Sequence, residues 1–551
     1  MRRLLATLLA LLAPGLAAAQ APVEVSGDVC TQTWTAANTY VLVGRVFVLE
    51  GCTLTIEPGT VVRGRFNANP DEAAALVVTR GAKIDASGTA HAPIVFTAEE
   101  DDVADPFDLT ESDRGLWGGV ILLGRATINV AGGENNIEGL PATDPRGLYG
   151  GTDDDDDSGV FRYVSIRHGG AAIDPDNEIN GLTMGGVGRG TTVEHVEVFA
   201  NLDDGFEWFG GTVDTRYLVA AFVGDDNFDY DEGFRGRGQF WFAIHGADDA
   251  GSGGEFDGGT TPEDGQPYAI PVVYNATVIG SGAGSAVSSN DYAMNVRDNA
   301  GGRFYNSIFT DFFGRAVQVE NLASGEDTWN RFLQGDLEIE NNLFFGFGTA
   351  GSDPDELYRV GGDGATGGDQ DDFVAYMTAR NEVVDPELLA ISRTSDETLD
   401  PRPGPTSPAR TGALTPPADG FFTAVPYLGA FAPDADTWLS NWTFLSDGGF
   451  LDPAAVPVEV GPEATAFALL PVTPNPVRGA ATVRFTLDRA QAVELAVFDV
   501  TGRRLATLAG GAHAAGAHAA TFDARGLPAG VYVLRLVTDT GVATAKAVVA
   551  R

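Results

Sequence analysis

Residues 180–211 read NGLTMGGVGRGTTVEHVEVFANLDDGFEWFGG, and residues 212–236 continue TVDTRYLVAAFVGDDNFDYDEGFRG. The second stretch repeats the first at a distance of 22 residues. Asp203 and Asp204 align with Asp225 and Asp226, Phe206 with Phe228, Glu207 with Asp229 and Trp208 with Tyr230. A fixed period filled with strand-forming residues marks a coiled repeat. Twenty-two residues is about one turn of a parallel β-helix, three short strands joined by Gly-rich corners.

The same period recurs near the start. TLTIEPGTVV (53–62) superposes on ALVVTRGAKI (75–84), with Leu54 on Leu76, Ile56 on Val78 and Val62 on Ile84. Apolar residues alternate within each piece, as half-buried strands require. Cys30 and Cys52, the only two cysteines, share that spacing. Neighbouring coils lie about 4.8 Å apart, within the Cα range of a disulfide. The spacing predicts a Cys30–Cys52 bridge in an exported chain, with two buried free thiols as the alternative.

Between these repeats lie acidic insertions. Asp153 to Asp157 is a run of five carboxylates. A Ca²⁺ loop needs Gly at its sixth position and Glu at its twelfth; Ser158 and Val164 stand there, so the run reads as a solvated loop. From Val160 onward one strand recurs as FRYVSI, VEHVEV, TRYLVA, VYNATV, FYNSIF and ENNLFF. Its equivalent positions are Tyr163, His195, Tyr217, Asn275, Asn306 and Asn342, and Asn side chains at such a corner are expected to stack. The wide gaps carry insertions, the largest from Ala243 to Tyr268. A short helix is predicted over 372–381 behind Asp371, and Trp438 and Trp442 are expected to close the end of the solenoid.

The 551 residues carry 77 Asp and Glu against 34 Lys and Arg, a net charge of −43. Such a surface repels nucleic acid and anionic lipid and attracts cations; its plainest reading is solvation in salty surroundings. Residues 1–20 read as a secretory signal: Arg2 and Arg3, the apolar run Leu4 to Leu12, then Ala17 and Ala19. No later stretch is long and apolar enough to span a bilayer. The expected plan is a signal over 1–20, a parallel β-helix over 21–450, a linker over 451–466 and a small antiparallel β-sandwich over 467–551. The fold class is therefore all-β, a right-handed solenoid followed by a sandwich.

The tail carries TPNPVRG (473–479), VFDVTGRRLATL (497–508), LPAGVYVLRL (527–536) and TAKAVVAR (544–551). In their order and spacing these resemble the C-terminal sorting domain of cargo exported by the type IX secretion system. That resemblance implies recognition of residues 467–551 by the secretion machinery, removal of the domain, and a secreted or surface-displayed product. Residues 24–450 resemble secreted parallel β-helix proteins of the pectin-lyase-like class, through CTLTIEPGTVVRG, GAKIDASGTAHAPIVFTA, LWGGVILLG, DDGFEWFGGTV and PRPGPTSPA. That class holds lyases, glycosidases and adhesins, so fold alone does not choose a function.

The acidic pair of coils is the candidate site. Asp225, Asn227, Asp229 and Asp231 alternate, so an extended strand points them outward with Phe228 and Tyr230 inside. One coil earlier, Asp203 and Glu207 share that register. Asp203, Glu207, Asp225, Asp229 and Asp231 are thus the expected ligands of a divalent cation: Ca²⁺ before Mg²⁺, because the hard oxygen donors are flexibly spaced, and before zinc, because the sequence shows no His or Cys cluster beside them. No organic cofactor is indicated. The leading expectation is a non-catalytic surface or binding protein. The alternative is a calcium-dependent polysaccharide lyase or glycoside hydrolase, with polysaccharide as partner and Arg235 or Arg237 as base. Trp208, Tyr230 and Trp241 read as core aromatics before sugar platforms.

Overall fold

Short strands with one apolar face must bury it, and a coil does so only by stacking on its neighbours. The computed structural model describes residues 21–173, 178–259, 261–452, 468–473, 477, 479–487, 489–500, 503–513, 516–538 and 541–550. The expected signal over 1–20, most of the expected linker and Pro474 to Pro476 lie outside the described residues.

Nearly all strands up to Val383 join one parallel hydrogen-bonded system, which the corners fold into three faces. The second face positions the site. Phe206–Phe209 stacks on Leu182–Gly185, and Phe228–Asp231 stacks on Phe206–Phe209. The register pairs Phe206 with Phe228, Glu207 with Asp229 and Trp208 with Tyr230. The side chains of Phe206, Trp208, Phe228 and Tyr230 are buried. Phe206 stacks on Phe228 at 5.9 Å, Trp208 on Trp241 at 5.2 Å and Tyr230 on Phe256 at 4.6 Å. These rings are core.

The outward column of the same face changes character along the stack. It runs Phe47, Val77, Ile121, Thr183, Glu207, Asp229, Glu255, Asn295 and Gln318. A hairpin of Glu134–Asn136 and Leu148–Gly150 interrupts the coils. Its Ile137, Leu140 and Tyr149 cover Phe47, Val77 and Ile121 in a separate apolar cluster. Beyond Ile121 the cover ends.

Cys30 and Cys52 form the expected disulfide, with Cα atoms 4.9 Å apart. The neighbouring superposition of 53–62 on 75–84 does not describe stacking. Leu54 pairs with Ile84, and Leu76 pairs with Val46 on a different face. The insertion 65–74 shifts the period, and alternating apolar residues match in either frame.

One corner column is left-handed without glycine. Tyr163, His195, Tyr217, Phe240, Asn275, Asn306 and Asn341 all have φ between 49° and 60°. His195 lies 4.3 Å from both Tyr163 and Tyr217, and Tyr217 lies 5.1 Å from Phe240. Asn, the usual non-Gly occupant of this region, takes over at the later coils, where Asn341 donates to Asn306 at 2.8 Å. The sequence reading placed Asn342 there and missed Phe240. Ladder register corrects both: Ile308 pairs with Leu343, and Gln239 pairs with Tyr274. The segment 243–268 is accordingly not one insertion, since Phe242–Ile244 and Glu255–Asp257 are rungs.

The last coil is closed by the helix Gly367–Arg380, whose Phe373 and Met377 enter the main core. It starts earlier than predicted because Thr366 and Asp369 form a capping box, displacing Asp371 from that role. Trp438 and Trp442 do not close the solenoid. Trp442 meets Tyr163 and His195 edge-on at 5.7 and 5.8 Å, and with Phe431, Leu439 and Phe444 it covers the outer side of the face built from the ends of Thr192–Phe199 and Asp214–Ala221 and from Phe242–Ile244. That side is apolar at Phe199, Val219, Phe242 and Ile279, so a strap of chain must lie on it.

The tail forms two antiparallel sheets, one of Ala468–Thr473, Ala480–Leu487 and Gly516–Asp523, the other of Gln491–Asp499, Arg504–His513, Gly530–Thr538 and Val542–Val549. Val483, Phe485, Leu495, Val497, Leu534 and Leu536 fill the space between them.

Candidate functional site

Where the hairpin cover ends, the second face opens into a groove of about 400 Å³. Its floor is the column Glu207, Asp229 and Glu255. One wall is the row of turns Asp203–Asp204, Asp225–Asp226 and Gly251–Ser252; Glu138 and Glu178 close one end and Asp291 and Tyr292 the other. No Lys, Arg or His is among the lining residues.

Three groups of carboxylates bring one oxygen each within 4.8 Å of one another: Asp203, Asp204 and Asp225; Asp204, Glu207 and Asp229; Asp226, Asp229 and Glu255. Asp204 and Asp229 each belong to two groups, so the three are contiguous.

Most of these carboxylates are held by donors. Asn180 donates to Glu138 at 3.0 Å and also to Glu207. The Asp226 amide donates to Asp204 at 2.9 Å, and the Ser252 amide donates to Asp226. Asn295 and Arg297 donate to Glu255 at 2.9 and 2.6 Å. Gln318 donates to Asn295 at 3.2 Å, extending this chain outward from the groove. Asp229 accepts no hydrogen bond among the described residues.

Burial and crowding both raise the proton affinity of these carboxyls. Burial, then Glu138 and Asp229, push the Glu207 carboxyl well above the usual range. Burial, then Asp257 and Glu255, do the same to Asp229. Asp225, exposed at the mouth, is raised less, by partial loss of hydration and then by Glu255 and Asp249. Carboxylates this close must share protons or a cation, because like charges in a poorly solvated site disfavour ionisation.

Of the five expected ligands, the structure brings Asp203, Glu207, Asp225 and Asp229 together. Asp231 stands outside the three groups, its carboxylate accepting from the Glu232 amide at 2.5 Å. Asn227 breaks the expected alternation. It is fully buried and its amide faces His245 at 3.2 Å, because the strand begins only at Phe228. Arg235 and Arg237 do not line the groove. Arg235 pairs with Asp154 at 3.0 Å; Arg237 pairs with Asp419 at 2.7 Å and with Asp214. Asp154 belongs to the five-carboxylate run, whose Asp155 and Asp157 likewise pair with Arg189 and Lys83. Asp204 and Asp226 were visible in the doubled DD motif. Glu255 was hidden by a coil of irregular length, and Glu138 enters from the hairpin, which no repeat announces.

A family model described as a pectate-lyase like β-helix domain matches residues 27–358, and one described as a secretion system C-terminal sorting domain matches residues 471–550. No curated protein matches the chain. Among solved structures, the enzymatically active domain of bacteriophage CBA120 tailspike protein 2 shares 10% identity over 96% of this chain and 72% of its own. Its TM-score of 0.15 is too low to carry any residue across. The first model spans more than half of the chain and coincides with the stacked coils; the second coincides with the sandwich. The chain belongs to the pectate-lyase like β-helix family and ends in a type IX secretion sorting domain, which makes it a secreted or cell-surface protein.

Proposed function

We propose that the β-helix is a non-catalytic binding unit of the cell exterior whose acidic groove takes a divalent cation, Ca²⁺ above others. The observation that carries this reading is Asp229: it is shared by two carboxylate groups and has no hydrogen-bond donor among the described residues. A cation would supply the positive charge that the lining residues lack. Asp204, Glu207, Asp226 and Glu255 would complete its shell around Asp229. All are hard oxygen donors of variable reach, which suits Ca²⁺ over the strict octahedron of Mg²⁺ and over zinc. The absence of Arg235 and Arg237 from the groove removes the arginine base on which the lyase reading rested.

Calorimetric titration of the chelator-treated protein with CaCl₂ tests the proposal. Saturable binding is expected, weakened at least tenfold by Asp229→Asn. Unchanged binding in that variant would overturn the site; cleavage of a glycan panel by wild type, lost in the variant, would overturn the non-catalytic role.

A further inference from the structure

The corner loops that form the wall of the acidic groove continue past it in the other direction, and there they are apolar. Phe66, Leu116, Ala171, Ala172 and Leu202 line a cup of about 210 Å³. Phe66 is 53% exposed and Leu202 39% exposed. A large exposed apolar side chain standing alone is ordinary, but apolar side chains gathered around a concavity mark an interaction site.

Cup and groove share a wall. Leu202 faces the cup, and the next residue, Asp203, faces the groove. The Gly224 amide bonds to the Asn201 carbonyl, so the Asp225 turn lies one coil, about 5 Å, beyond Leu202. The surface therefore presents an apolar recess and a carboxylate cluster at a spacing of one or two residues of extended chain. It is amphipathic, and its polar part has one sign.

We infer that this face docks a segment of another polypeptide that carries Trp, Phe or Leu beside Arg or Lys. The apolar side chain fills the cup and the cation meets Asp203 and Asp225. Charge complementarity selects this occupant. A second copy of this chain would bring its own share of a net −43 charge against the same carboxylates, and like charges in apposition oppose docking. An uncharged apolar peptide would use the cup and leave the adjacent carboxylates unmatched. The inference requires no bound metal. Where a cation does occupy the groove, it competes with the guanidinium or ammonium group.

The test uses the full chain in chelator and two peptides, RRWWRR and RRGGRR. Fluorescence titration should show RRWWRR binding at least tenfold tighter than RRGGRR. The double variant Phe66→Ser, Leu202→Ser should reduce that ratio below threefold, with a melting temperature near that of wild type because both side chains are exposed. Asp203→Asn should weaken both peptides alike. Leu202→Ala alone gives the same reading if the double variant does not fold. A wild-type ratio under threefold, or a ratio unchanged in the variants, overturns the inference. So does a concentration-dependent dimer in sedimentation that Leu202→Ser abolishes, since the cup would then belong to a second copy.

Discussion

The outward column of the second face is one row of equivalent positions with two fates. At Phe47, Val77 and Ile121 it is apolar and covered by the hairpin; at Glu207, Asp229 and Glu255 it is acidic and forms the floor of the groove. Backbone register is the same in both halves. The β-helix therefore dictates where side chains point and leaves their chemistry free. The covered half behaves as a second core outside the coil. The open half concentrates like charges at rung spacing, which no folding requirement explains.

Exchanging the two chemistries should have the largest effect. Val77→Asp places a carboxylate under the hairpin at a position with no exposure, and a buried charge without a partner costs on the order of 3–5 kcal/mol. Chemical denaturation should show that loss, with Ca²⁺ binding at the groove reduced only as far as folding is. Removing the staple of the covered end is the next perturbation. Cys30→Ala with Cys52→Ala should lower stability by about 3 kcal/mol, from freeing a loop of that length in the unfolded chain, and leave cation affinity unchanged.

The open half should respond in the opposite direction. Two carboxylates about 5 Å apart repel by roughly 0.8 kcal/mol in water and about 3 kcal/mol at an effective dielectric of 20. Asp229→Asn should therefore stabilise the metal-free protein at pH 8 by about 1–3 kcal/mol and abolish the rise in melting temperature that Ca²⁺ gives wild type. A destabilised variant in chelator would show that Asp229 has a structural partner instead.

The mildest perturbation is pH, which replaces no side chain. Unfolded carboxyls titrate near 4, whereas Glu232 holds its proton to about 7 and Asp257, against the pull of Arg297, to about 8, each chiefly through burial. Between those limits the folded state binds more protons than the unfolded state, so these groups make stability fall as pH rises. Below pH 4 their penalty is absent, and above pH 8 it is complete. The melting temperature in chelator should thus decline from pH 5 to pH 8, and Ca²⁺ should restore more at pH 8 than at pH 5.

The coil stack was legible because an uninterrupted 22-residue turn aligns chemically distinctive residues: the register of Glu207 on Asp229 follows from the DDGFEWF and DDNFDYD motifs alone. Legibility failed where insertions changed coil length. Leu54 could be slid onto Leu76 because one aliphatic alternation resembles another, and Phe240 escaped notice because its coil lacks the Tyr or Asn of its neighbours. In the site, the doubled acidic pair was visible, but Glu138 and Glu255 were not, since one arrives on a hairpin and the other after an irregular coil. The outward position of Asn227 was misjudged because alternation holds only while the backbone is extended, and it bends before Phe228.

The uninterrupted spacing of the two acidic rungs has an evolutionary consequence. Residues 203–224 form one whole turn that begins and ends at the same corner, and the ladder on either side of it is continuous. An in-frame duplication of that segment adds a copy whose strands find the same neighbours, and its excision joins Leu202 to Asp225 at the same corner. Copy number of a single genetic module then sets how many acidic rungs the protein displays.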